Sequence, residues 1–109
     1  MRDLAQLLKG NTDVLILALL EREPMYGYQM IKELERTSRG FFRIGEGTLY
    51  PALHRLERSG LLKGRWERLP TGQERRYYSL TREGERGLEE QASAWVRFSS
   101  AMDLIVRPA

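Results

Sequence analysis

The stretch that most constrains this chain runs from Gly47 to Leu62, GTLYPALHRLERSGLL, and is followed by RRYYSLTREG from Arg75 to Gly84. Leu49, Leu53 and Leu56 stand four and three residues apart, so on a helix they form one apolar stripe. Thr48, His54, Arg55 and Arg58 fall on the opposite face, and each can donate to phosphates or base edges. Ser59-Gly60 supplies the stop, because glycine tolerates the left-handed backbone that closes a helix. Pro51 is acceptable only near the helix start, where amide hydrogens lack intrahelical partners. Gly45 or Thr48 is the candidate cap. Two strand-like runs follow, Leu61–Leu69 and Gln73–Leu80, with Trp66, Tyr77 and Tyr78 as strand-favouring aromatics. Pro70-Thr71-Gly72 between them is turn chemistry. Tyr77 and Tyr78 point to opposite faces of their strand, so at least one packs inward.

Upstream, Asn11 or Thr12 caps a helix through the apolar run Val14–Leu20, with Asp13 favourable near its N-terminal end. Apolar nearly all round, this helix is expected at the centre of the core. Pro24 ends it. A second helix is expected over Tyr26–Thr37, with Met30, Ile31 and Leu34 inward, broken by Ser38-Arg39-Gly40. Phe41–Ile44 is an apolar bridge and a candidate strand beside the hairpin. Thr81 caps a long helix to about Val106. The order helix, helix, helix, hairpin, helix is that of a winged helix-turn-helix with one added helix. The expected fold is therefore mainly α with a small β-hairpin. Its expected units are residues 1–80, a winged helix-turn-helix DNA-binding domain, and 81–109, a C-terminal dimerisation helix.

At 109 residues the chain has room for one domain and little space for a deep enclosed pocket. Without cysteines, disulfides, thiolate metal sites and cysteine nucleophiles are excluded, in keeping with a cytoplasmic location. The opening MRDLAQLLKGNTD has no signal-peptide pattern, and Val14–Leu20 is far too short to cross a membrane. The net charge of +3 is unevenly placed. Residues 54–76 hold seven Lys/Arg against three acids, whereas residues 1–53 balance at seven of each sign. The positive excess thus sits on the third helix and the hairpin, the footprint of a nucleic-acid face.

The set Pro24-Met25-Tyr26-Gly27-Tyr28-Gln29, Gly47-Thr48-Leu49-Tyr50-Pro51, Leu53-His54-Arg55-Leu56-Glu57, Ser59-Gly60-Leu61-Leu62 and Arg76-Tyr77-Tyr78-Ser79-Leu80-Thr81 resembles the PadR family of transcriptional regulators. The pieces stand in the family's order and the resemblance covers essentially residues 10–85, with Gly45-Glu46 departing from the Ser/Thr and Pro that relatives often carry. The resemblance is to the short members with a single C-terminal helix. It implies a winged-helix homodimer that represses transcription from a palindromic double-stranded operator and often responds to a small molecule. Some similar family members bind multidrug-like ligands at the dimer centre.

On this reading the third helix enters the major groove with Thr48, His54, Arg55 and Arg58, and Tyr50 touches the backbone at its start. Tyr28 and Lys32 open the second helix, which crosses the sugar-phosphate backbone in this motif; the Tyr28 ring either reaches a phosphate or packs with a wet tip. Arg68, Thr71, Gln73 and Arg75 flank the wing turn. Leu88, Ala92, Trp95, Ser99, Met102 and Val106 step along the last helix as a heptad-like seam, with Phe98 and Ile105 beside it. That seam calls for a second copy of the chain. Trp95 is either dimer core or the flat wall of a pocket for a small aromatic effector, with Val14, Ala18 and Ser99 around it. No enzyme chemistry is expected: His54 is the only histidine and lies on a basic helix without a nucleophile motif. No metal or other cofactor is expected either. Two rivals remain, a winged helix that docks a protein partner and a dimer that sequesters small aromatic molecules.

Overall fold

The computed structural model describes residues 10–107. Residues 1–9 and 108–109, the outer ends of the two expected units, lie outside it, as does most of the opening segment read as free of a signal pattern. In chain order the elements are α1 (Thr12–Arg22), β1 (Met25–Tyr26), α2 (Gly27–Thr37), α3 (Glu46–Arg58), β2 (Leu62–Arg68), β3 (Glu74–Leu80) and α4 (Arg82–Val106). The core forms where the apolar stripes of three helices meet one face of the sheet. Ile16 and Leu17 of α1, Met30 and Leu34 of α2, and Leu49, Ala52, Leu53 and Leu56 of α3 are buried there with Leu62 and Tyr78 of the sheet. Each large side chain removed from water in this way contributes about 1.5–3 kcal/mol.

The helix ends follow local chemistry. Arg22 ends α1 two residues before Pro24, with Glu23 already extended. Arg39 and Gly40 take left-handed backbone, φ +56° and +82°, to turn the chain out of α2. Gly45 caps α3, and Gly60 at φ +81° closes the turn after it. Pro51 is the sixth residue of α3, past the four opening positions whose amides lack intrahelical partners, so the expected placement is not met.

The expected strand at Phe41–Ile44 does not form. The third strand is the two-residue β1, which pairs antiparallel with β3 through Met25–Tyr78 and Tyr26–Tyr77 and gives the sheet order β1-β3-β2. Phe42 and Ile44 instead pack on the core, and Phe41 stands edge-on to Phe42 at 5.1 Å between ring centres. The segment spends its apolar side chains on covering helices, not on a ladder. The hairpin keeps one register from Leu62–Leu80 to Arg68–Glu74. Its turn is closed by the Gly72 amide donating to the Leu69 carbonyl at 2.8 Å.

Thr81 fastens α4 to the end of α3. Its hydroxyl accepts from the Gly84 amide at 3.0 Å and donates to the Gly60 carbonyl at 2.6 Å, while its own amide reaches the Leu61 carbonyl at 3.1 Å. Leu88, expected on the dimer seam, lies in this chain's own core at 5% exposure. The correction is physical: the first two turns of α4 are the part that packs against the body. Beyond Leu88 the helix runs beside α1 as far as Phe98 without burying a side chain fully, and residues from Glu89 to Val106 are exposed apart from half-buried Ser99. At 25 residues α4 is about 37 Å long, in a molecule of 57 × 28 × 20 Å.

A side chain at Gly84 would put its Cβ 2.1 Å from the Leu61 carbonyl oxygen, a backbone atom that cannot swing aside. Alanine at Gly84 is therefore expected to destabilise the fold by about 1–3 kcal/mol, the clash outweighing the helix-propensity gain. At Gly87 the nearest atom is a Leu61 methyl at 3.7 Å, and the same change should stabilise by up to about 1 kcal/mol. Urea unfolding midpoints of the two variants check both signs.

Candidate nucleic-acid interface

With Leu49, Leu53 and Leu56 fixed in the core, the other side of α3 is left to solvent. Thr48, His54 and Arg58 are exposed there, and none has a side-chain partner among the described residues. Arg55 differs. Its guanidinium is held by the Asp13 carboxylate of α1 at 2.5 Å, so it is not the free group that the stripe pattern implied. Tyr50 is half-buried, with its ring packed on the core and its hydroxyl over Gly27, where a Cβ would come within 2.3 Å of the oxygen. Burial, and then the neighbouring Glu46 charge, push the Tyr50 phenol above its ordinary pKa.

The β2–β3 wing is tied to α3 by one ion pair, Arg76 to Glu57 at 2.6 Å. Burial opposes the Arg76 charge, but the hydrogen bond and charge of Glu57 prevail and hold its pKa above the usual value. The space for this guanidinium is made by Gly64, where a Cβ would lie 2.5 Å from it. Arg76 also lies over the faces of Trp66 and Tyr78, at 5.5 and 5.6 Å. Toward the tip, Arg68 faces Glu74 at 3.4 Å, and the Gln73 amide donates to the Thr71 hydroxyl at 3.4 Å. Arg75 stacks on Tyr26 at 4.2 Å, and Tyr26 meets Tyr77 edge-on. Arg65 is paired with Glu67. Of the seven cations in residues 54–76, Arg58, Lys63 and Arg75 are left without a carboxylate partner among the described residues. The surplus read from the sequence is therefore concentrated in three side chains.

At the start of α2, Tyr28 and Lys32 are both exposed, with the ammonium 5.4 Å from the ring centre. The Tyr28 ring is 58% exposed, so it is not packed into the core. Lys63 also faces solvent on the wing, and Trp66, read from the sequence as a strand-favouring aromatic, is an exposed indole there.

A second concave surface lies between α1, α4 and the α2–α3 connection. It encloses about 570 Å³ and is lined chiefly by apolar groups, among them Val14, Ala18, Phe41, Ala92, Trp95 and Phe98. Val14, Ala18 and Trp95 come together as expected. Ser99 does not line this cleft: its hydroxyl donates to the Val96 carbonyl at 3.3 Å. Phe41 and Phe42 were missed as lining groups because their sequence run reads as a strand. Among the described residues no group of three His, Asp or Glu gathers as a metal site, and no helix is long and apolar enough to cross a membrane.

A family model described as the transcriptional regulator PadR-like family matches residues 16–90. A transcriptional regulator of Mycobacterium tuberculosis is 41% identical over 70 residues, 64% of this chain and 62% of that protein. The crystal structure of a PadR-like transcriptional regulator from Bacillus cereus superposes with a TM-score of 0.82 at 30% identity, over 95% of this chain and 99% of its own. Bacillus subtilis PadR, solved in complex with operator DNA, superposes with a TM-score of 0.68 at 25% identity, over 73% of this chain and 45% of its own. The match covers well over half of the sequence and includes both α3 and the wing, so this chain belongs to the PadR-like family of transcriptional regulators, not to an enzyme family.

Proposed function

We propose that this chain is a cytoplasmic repressor that binds a palindromic duplex operator as a homodimer and is released by a small planar aromatic molecule. The observation that carries the reading is the exposed, partner-free row Thr48, His54 and Arg58 on a helix whose opposite side is buried, with a cationic hairpin fastened beside it. A major groove admits such a helix, and its base edges offer acceptors to these donors. Tyr28 and Lys32 meet the sugar-phosphate backbone, and Arg68, Thr71, Gln73 and Arg75 hold the adjacent groove. The DNA complex of Bacillus subtilis PadR supports this use of the shared fold. Residues 1–80 form the DNA-binding unit and 81–109 the dimerising one.

Selection from a randomised duplex library should enrich an inverted repeat with half-site centres one helical turn apart, about 34–36 Å. Anisotropy should then give a preference of at least a hundredfold over a scrambled duplex, falling steeply with salt. In that assay Arg58→Ala should weaken operator binding by roughly 1–3 kcal/mol while leaving the unfolding midpoint in place. A variant that binds like the parent removes Arg58 from the contact set.

The homodimer reading rests on the outer half of α4. Ala92, Trp95, Phe98, Met102 and Ile105 are all exposed there, a patch that monomers rarely leave in water. Phe98, at 64% exposure, touches too little of its own chain to matter for folding. Sedimentation should therefore show Phe98→Glu as a folded monomer where the parent is a dimer.

The release reading rests on the apolar cleft and the half-exposed Trp95 on its wall. Acridine should quench Trp95 in a Trp66→Phe background and lower operator affinity in parallel. Quenching with unchanged operator affinity would favour the sequestering rival.

A further inference from the structure

Recognition helix α3 is gripped from two sides. Glu57 takes Arg76 of the wing, and Arg55 takes Asp13 in the first turn of α1. Residues two positions apart on a helix are about 200° apart around its axis, so the pairs at 55 and 57 flank the buried Leu56 on opposite sides. Arg55 is also the odd member of the outward set: Thr48, His54 and Arg58 are partner-free among the described residues, while its charge is already answered within the protein. Asp13 in turn sits in the sequence between Asn11 and Val14, which line the apolar cleft.

We propose that Arg55 is a positioning residue and not a DNA contact: its pair with Asp13 sets the angle of α3 against α1, and through that angle the accuracy with which α3 reads an operator. The inference rests on the reading of α3 as the operator-recognising helix. Half of the Arg55 side chain is in solvent, so the pair biases any equilibrium by no more than about fivefold. That is enough to alter discrimination without unfolding anything. The pair also connects the helix that lines the cleft to the helix that meets DNA.

The test compares the parent with Asp13→Asn, Arg55→Met, the double variant and Asp13→Glu on the selected operator and on a scrambled duplex, across a salt series. Each single neutral variant should lower the operator-to-scrambled affinity ratio roughly two- to fivefold. The double variant should fall no further than either single one, and Asp13→Glu should restore the ratio. The salt slope of Arg55→Met should match that of the parent, because no phosphate contact is lost. A slope reduced by about one in Arg55→Met, with tighter binding of both duplexes by Asp13→Asn, would make Arg55 a phosphate contact masked by Asp13 and overturn the proposal. Ratios that stay at the parent value while melting temperatures drop would also overturn it, leaving only a structural pair. A parent that enriches no sequence removes the operator reading itself, and this inference with it.

Discussion

Burial of Leu49, Leu53 and Leu56 against α1 and α2 is the constraint on which the remainder of the structure depends. Those three side chains leave α3 no rotational freedom, so the direction of every other side chain on it is settled by helix geometry. The glycine stop at Gly60 then launches β2 directly from the end of the same helix. Thr81 returns the chain to that point and starts α4 there. Helix α3, the wing and the long C-terminal helix thus share one junction, made of the Thr81 hydroxyl and backbone atoms of residues 60–61 and 81–84. Side chains added to it meet backbone, which is why the junction carries glycine at 84.

Polar groups refine the arrangement that the apolar stripe imposes. Each of the cross-element pairs Arg55–Asp13 and Arg76–Glu57 is part-exposed and individually weak. Placed on two flanks of one helix, they act on its tilt, a quantity to which apolar packing is less sensitive. Of the cations in residues 54–76, Arg58, Lys63 and Arg75 have no carboxylate partner among the described residues. A surface of this kind keeps its fixed charges internally matched and leaves a few unmatched ones toward an anionic partner.

Most elements were legible in the sequence because their signals were long or chemically specific. The α3 stripe, the Thr81 cap, the Gly60 stop and the two hairpin arms all lie where spacing and turn chemistry put them. What escaped was non-local. A two-residue strand such as β1 has no periodicity to read, so the more apolar Phe41–Ile44 run took its place in the sequence reading. Leu88 looked like a seam residue because heptad spacing does not tell which turns of a helix remain against its own domain. The groups that Arg55 and Tyr50 meet, Asp13 and Gly27, come from earlier elements. The cleft was half legible: Val14, Ala18 and Trp95 met as expected, while Phe41 and Phe42 joined through the connection mistaken for a strand.

The notch at Gly64 ties three distant positions into one unit. The Arg76 guanidinium fills the space that a Cβ at position 64 would need, and Glu57 holds it there. Filling position 64 would push the Arg76 guanidinium aside, and with it the pair that holds it to Glu57. A side chain at position 64 therefore acts on the attachment of the wing to α3 by way of Arg76.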